Sequence, residues 1–161
     1  MKLGSALDVG GGTGLMRSLL PKTWEYTCLD NDPKKINSFR EKIPKDDLIK
    51  ASATMIPKPN SIYDPCILSA VSHHLQSSEL DCALKEISRV LRLTGQLLVL
   101  DALLNPDNLA GRILWSLDRG NFPRALSDLK RHLDNSFLIT KSKTWKVFHE
   151  YALLICSTKP S

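Results

Sequence analysis

Residues 6–16 read "ALDVGGGTGLM", with four glycines in five positions directly behind an apolar run. Glycine destabilises the interior of a helix or strand by roughly 0.5–1 kcal/mol relative to alanine. The stretch is therefore a sharp turn that a second group must approach closely. Its left side predicts a buried strand over residues 5–9. Its right side predicts a helix through Leu15, Leu19 and Leu20, stopped by Pro21.

The same alternation continues outward. "EYTCLD" (25–30) is a second strand, and "DPKKINSFREKI" (32–43) is a helix with Pro33 in its first turn and Ile36, Phe39 and Ile43 on one face. "DLIKAS" (47–52) is a short third strand and "PKPNS" (57–61) a loop. "CILSAV" (66–71) is a fourth strand, with Pro65 just before it. "SSELDCALKEISRVL" (77–91) is an amphipathic helix capped by Ser77 or Ser78, with Leu80, Leu84, Ile87 and Leu91 as its stripe. Thr94 and Gly95 close that helix before the fifth strand, "QLLVLD" (96–101). Two more helices are expected over 105–120 and 124–134, and residues 102–137 together are the candidate for a helical lid. The tail, "FLITKSKTWKVFHEYALLICST" (137–158), has strand propensity and no intervening helix, so it reads as two antiparallel strands. Strands alternating with helices are the pattern of a wound α/β sheet.

Bulk properties bound the rest. A chain of 161 residues that is 42% hydrophobic forms one domain with a real core. Lys and Arg exceed Asp and Glu by 22 to 17, a net +5 spread along the chain. That permits an anionic partner and argues against a dedicated nucleic-acid surface. None of the four cysteines sits in a C-x-x-C pair, so they read as reduced thiols of a cytoplasmic protein. The longest apolar stretch, "LLVLDALL", is broken by Asp101 and too short to span a bilayer. No His, Cys or carboxylate cluster has metal-ligand spacing.

A glycine turn between a first strand and a first helix presents backbone N–H groups to an anionic moiety. Twenty residues beyond Gly10, Asp30 ends the second strand, placed to accept hydrogen bonds from ribose hydroxyls. Together they imply a nucleoside-containing cofactor. The dinucleotide fingerprint G-x-G-x-x-G fails, because Leu15 or Arg17 stands where its third glycine belongs, and no G-K-[ST] is present. What fits is an acid at Asp8 followed by Gly10, Gly12 and Gly14. A carboxylate two residues before the first glycine would repel a pyrophosphate but suits an α-ammonium.

Here the chain resembles the class I S-adenosylmethionine-dependent methyltransferases, in particular their type 11-like group. "ALDVGGGTG", "CLDNDPKK", the run from "KASATM" to "AVSHHL", and "ALKEISRVLRLTGQLLVLD" match that family's motifs in order. The resemblance covers most of residues 3–101, and the antiparallel tail matches the family's last two strands. It implies a Rossmann-like, doubly wound, mostly parallel seven-stranded sheet with an antiparallel last strand, in a three-layer sandwich over residues 1–161. It also implies S-adenosyl-L-methionine as cofactor, S-adenosyl-L-homocysteine as product, and a small-molecule acceptor. Asp8 would orient the methionine ammonium. Gly10 and Gly12 would let it approach, and Asp30 and Asn31 would hold the ribose and face the adenine edge. Ser52 and Ala53 would flank the adenine, and Ser69 would lie near the methionine portion. Ser52 departs from the family's usual Asp there, and a hydroxyl makes a weaker bond than a carboxylate.

His73 and His74, just beyond the fourth strand, and Asp101, ending the fifth, are the candidates for a general base. Arg112, Arg119, Arg124, Lys130 and Arg131, set against Asp107, Asp118 and Asp128, read first as a solvated mixed-charge helix pair and alternatively as a lid that binds an acidic small molecule or lipid headgroup. His132 and His149 read as surface residues. The family's usual N-terminal cap helices have no counterpart before the first strand. Either the site is unusually open, or a lid over 102–137, a homo-oligomer or a partner subunit covers it, or the chain is cut from something longer. With Ser52, this also motivates a second reading, a catalytically silent cofactor-binding module or subunit of a larger complex.

Overall fold

A computed structural model describes residues 4–108, 115 and 121–159. Seven strands form one sheet: β1 Ser5–Val9, β2 Glu25–Asp30, β3 Asp47–Lys50, β4 Tyr63–Ser69, β5 Leu91–Leu103, β6 Phe137–Lys146 and β7 Glu150–Thr158. Their order across the sheet is β3-β2-β1-β4-β5-β7-β6. The first five are parallel neighbours, while β7 runs antiparallel to both β5 and β6. The sheet is the Rossmann-like one expected. Because the chain winds outward from β1 to β3 and then returns to β4, the carboxyl ends of β1 and β4 diverge into a crevice where such sheets bind ligands.

Successive strand residues face opposite sides of the sheet, and the core divides accordingly. On one face, Leu7 and Val9 of β1 join Leu80, Leu84 and Ile87 of α2 (Ser77–Val90) and Leu129 and Leu133 of α3 (Leu126–Asp134). On the other, Ala6 of β1 meets Tyr26, Cys28 and Phe39, the last from α1 (Pro33–Lys42). Helices thus cover both faces, and the second cover is thin. Where a full helix is expected after the glycine turn, only a 3₁₀ turn, Leu15–Leu19, forms, leaving Leu15 and Leu19 72% and 75% exposed. The short segment between Gly14 and Pro21 cannot repay helix nucleation. Arg17 pins the turn instead, through Asp46 at 2.7 Å and the carbonyl of Pro21 at 3.1 Å.

Other boundaries move for local reasons. β4 begins at Tyr63, and Pro65 lies inside it, paired with Gln96 of β5 beside a register irregularity, the kind of place where a strand tolerates proline. α2 is capped by Gln76, not Ser77 or Ser78, because Glu79 Oε2 accepts the Gln76 N–H at 2.8 Å. Thr94 and Gly95 fall within β5, which starts directly after the helix at Leu91. A Cβ on Gly95 would lie 2.6 Å from the Asp64 carbonyl. Most of the helix expected over 105–120 lies outside the described residues, as do Arg112 and Arg119. Cys28, Cys66 and Cys156 are buried free thiols, and Cys82 is exposed. No helix among the described residues is long and apolar enough to cross a membrane.

Candidate active site

The glycine turn is held from beneath. Gly10, Gly12 and Gly14 adopt φ values of 70°, 58° and 81°, a region that residues bearing a Cβ rarely enter. Gly10 and Gly11 donate to the Leu29 carbonyl at 2.7 and 3.2 Å, Gly12 to Asp30 Oδ2 at 2.9 Å, and Gly14 to the Gly11 carbonyl at 2.9 Å. The expectation that these amides would be presented to a ligand is therefore corrected. They fold the turn onto β2, and what the glycines supply is a bare surface. A Cβ on Gly10 would sit 2.5 Å from Val71 Cγ2.

Asp8 lies one layer below that surface. It is 1% exposed, Tyr26 donates its hydroxyl to Oδ2 at 2.5 Å, and Oδ1 is buried with no hydrogen-bond partner among the described residues. Burial pushes its carboxyl up to about 6, the Tyr26 hydrogen bond opposes that, and the charge of Asp30 adds to it. The Tyr26 phenol is itself raised by burial and by Asp8. Asp8 lines neither cleft described below; it lies beneath Gly11, where a Cβ would come within 2.8 Å of its carboxyl.

Two adjoining clefts open at the carboxyl edge. The smaller, of about 320 Å³, is bounded by Gly10, Asp30, Asn31 and residues 51–53. Asp30 accepts from Gly12 N and Asp32 N at 2.9 and 2.8 Å, one bond to each oxygen, which leaves a second lone pair on each. Ser52 Oγ is engaged by Thr54, at 2.8 Å from its hydroxyl and 3.2 Å from its amide. The larger cleft, of about 870 Å³, is bounded by Ser69, His73, Asp101, Trp145, His149 and Tyr151 among others. Ser69 thus lines the larger cleft, not the smaller one. Lys35, Ala70 and His74 belong to both and form the wall between them. Ala70 carries φ 53°, a strained conformation for alanine, with its N–H on the Leu100 carbonyl at 2.8 Å.

Asp101 organises the larger cleft. It is 2% exposed and accepts four hydrogen bonds: Ser72 N at 2.8 Å, Ser72 Oγ at 2.6 Å, His73 Nδ1 at 2.5 Å and Ala102 N at 2.9 Å. A carboxylate so placed keeps the proton on His73 Nδ1. Arg124 braces the same turn from behind, donating to the Ser72 carbonyl at 2.5 Å and the Leu75 carbonyl at 2.7 Å. Burial lowers its guanidinium from the ordinary value, with Asp128 opposing. The expectation of Arg124 on a lid facing an acidic ligand is thus corrected: it is buried and spent on backbone carbonyls. Arg131 pairs with Asp128 on the surface.

Both histidines read as surface residues are also relocated. His132 is buried, with Nδ1 2.7 Å from Asp81 Oδ1, and joins α3 to α2. His149 lines the larger cleft. Lys35, Ala70, His149 and Tyr151 carry no local signal, because only the sheet order brings α1, β4 and the β6–β7 turn to one edge. No group of three or more His, Cys, Asp or Glu among the described residues could hold a metal ion.

Residues 7–99 match a family described as a methyltransferase domain. No curated protein is significantly similar to the chain. Among solved structures, the chain is similar to the PH0226 protein of Pyrococcus horikoshii OT3, at 18% identity and TM-score 0.83, covering 98% of this chain and 83% of that one. An S-adenosylmethionine-dependent methyltransferase of Methanosarcina mazei aligns at 15% identity and TM-score 0.83, covering 98% and 93%. A geranyl diphosphate C-methyltransferase of Streptomyces coelicolor A3(2), solved with Mg²⁺, geranyl diphosphate and S-adenosyl-L-homocysteine, aligns at 10% identity and TM-score 0.81, covering 97% and 71%. These likenesses agree with the sheet order; the match over more than half the sequence adds the lineage, and the chain belongs to the S-adenosylmethionine-dependent methyltransferase family.

Proposed function

We propose that the smaller cleft holds S-adenosylmethionine and the larger one a small-molecule acceptor that receives its methyl group. The observation that carries this reading is the shared wall of Lys35, Ala70 and His74, which sets the two clefts side by side at one edge of the sheet. The residues present fit the cofactor. A carboxylate with lone pairs to spare lies at Asp30, a glycine at position 10 leaves no Cβ over the turn, and the buried Asp8 carboxylate beneath that turn favours positive charge above it.

The cofactor, when bound, supplies an electrophilic methyl carbon on a sulfonium. Asp30 holds the ribose and Asn31 the adenine edge. Ala53 takes over the adenine contact that Ser52, engaged with Thr54, shares only weakly. Asp8 favours the ammonium through the glycine turn. Alignment of two bound reactants yields effective molarities of about 10⁵–10⁸ M, so positioning accounts for most of the rate. Where the acceptor carries a proton, the His73 imidazole takes it, and Asp101 steadies the imidazolium that forms. Asp101 is then a positioning residue.

The test is paired. S-adenosyl-L-homocysteine is titrated calorimetrically into the protein, and methyl-tritiated S-adenosylmethionine is incubated with it and fractionated small-molecule extracts. Saturable binding and label in a small-molecule fraction support the reading. Binding without transfer to any fraction favours a catalytically silent module.

A further inference from the structure

The larger cleft carries a feature that methyl transfer alone does not explain. Trp145 and Tyr151, paired across β6 and β7, stack with centroids 5.9 Å apart and planes 17° from parallel. His149 meets the Tyr151 ring edge-on at 6.1 Å, and Trp115 lies 4.9 Å from His149 and 5.3 Å from His73. The Trp115 indole N–H is anchored on the Leu103 carbonyl at 3.3 Å. Together these rings make a continuous arc that ends on the imidazole held by Asp101. Aromatic faces and edges arranged this way bind a flat conjugated ring by offset or edge-on stacking.

Charge then separates the aromatic arc from a cage for a cation. Among the described residues lining this cleft, Asp101 is the one carboxylate, and its four hydrogen bonds engage it fully. The other charged or titratable groups facing it are Lys35 from α1, His73 and His74 from the turn after β4, and His149 and Tyr151 from the β6–β7 end. His149 Nδ1 is buried with no hydrogen-bond partner among the described residues. The wall thus offers donors and positive charge to the ring it stacks against. An ammonium acceptor would meet Lys35 and, among the described residues lining the cleft, no uncommitted anion.

Resting on the two-cleft reading above, we propose that the acceptor is an aromatic hydroxy compound, a phenol, methylated on oxygen. Its ring lies against Trp145, Tyr151 and His149, and its hydroxyl reaches the wall shared with the cofactor cleft. The phenolic proton passes to His73, the oxygen forms the bond to the methyl carbon, and the electron pair of the breaking carbon–sulfur bond leaves with sulfur. Lys35 stabilises the developing phenolate. His149 is the specificity residue that sequence reading missed.

The probe is 4-nitrophenol, whose absorbance distinguishes phenol from phenolate, titrated into protein saturated with S-adenosyl-L-homocysteine. The expected result is saturable binding with the bound probe enriched in phenolate relative to bulk solution. Trp145→Ala and His149→Ala, both at the cleft rim, are expected to weaken it about tenfold each while leaving S-adenosyl-L-homocysteine affinity unchanged. Equal or tighter binding of cyclohexanecarboxylate overturns the aromatic requirement, and tetramethylammonium binding in competition with the probe overturns the charge assignment. Rejection of 4-nitrophenol by protein that still binds S-adenosyl-L-homocysteine overturns this inference alone. Failure to bind S-adenosyl-L-homocysteine overturns the two-cleft reading beneath it.

Discussion

Replacing Asp8 by asparagine separates what this residue costs the fold from what it gives the ligand. Burial raises the carboxyl from its ordinary 3.8 to about 6. The folded chain therefore binds this proton more tightly than the unfolded one. Between about pH 4 and pH 6 the folded state carries more protons, so this group makes stability fall as pH rises through that window and level off above it. The difference corresponds to about 3 kcal/mol of penalty at pH 7. The asparagine amide does not ionise; against the gain stand a weaker hydrogen bond from Tyr26, worth about 1 kcal/mol, and a buried amide –NH2 in the place of the unpartnered Oδ1, worth about 1–3 kcal/mol. Asp8→Asn is thus expected to leave stability at pH 7 within about 1 kcal/mol of the parent and to abolish this group's fall in stability between about pH 4 and pH 6. It is also expected to weaken S-adenosyl-L-homocysteine binding about three- to tenfold, the buried negative charge beneath the glycine turn being gone while no direct contact to the ligand is lost. Urea unfolding of both proteins at several pH values from about 4 to about 8, with calorimetric titration of the ligand, reads both effects. A variant keeping the parent's slope across the window would refute the reasoning.

Three further outcomes follow from the geometry. Asp101→Asn removes the charge that holds His73 and is expected to lower turnover roughly 10²-fold while S-adenosyl-L-homocysteine affinity stays within about twofold; steady-state kinetics beside calorimetry separates the two. Gly10→Ala places a Cβ 2.5 Å from Val71 Cγ2 at φ 70° and should cost about 2–4 kcal/mol in urea unfolding. Adding Val71→Ala should return only the contact part of that loss, since the backbone strain remains. Arg124→Met leaves the carbonyls of Ser72 and Leu75 without their donor and should destabilise by about 2–4 kcal/mol, with faster amide exchange across residues 72–75 by hydrogen-exchange mass spectrometry.

The parallel half of the sheet is legible because each of its strands is an apolar run bounded by punctuation, and β2 matches its expected residues at both ends. Asp30 and residues 52 and 53 can be located in the smaller cleft because strand order places those strand ends beside the glycine turn. Local sequence misleads where short segments compete with nucleation, as at Leu15–Leu19, or where a reciprocal bond decides a cap, as at Gln76 and Glu79. The acceptor side is the least legible. Its wall combines α1, the turn after β4 and the β6–β7 end, and nothing near His149 or Tyr151 in the chain reveals that β7 inserts beside β5 and carries them there. Arg124 misleads for a related reason: a basic residue before a helix reads as surface until its two carbonyl partners, far earlier in the chain, are known.

The division of labour between the clefts is open to direct observation in a crystal structure of the protein with S-adenosyl-L-homocysteine. The nucleoside is predicted to lie in the smaller cleft, with ribose hydroxyls on Asp30, adenine beside Ala53, and the amino-acid tail on the glycine turn above Asp8. Its sulfur is predicted to point past Ala70 toward His73. A nucleoside seated among Trp145, His149 and Tyr151, or a ribose that leaves Asp30 untouched, would contradict the account.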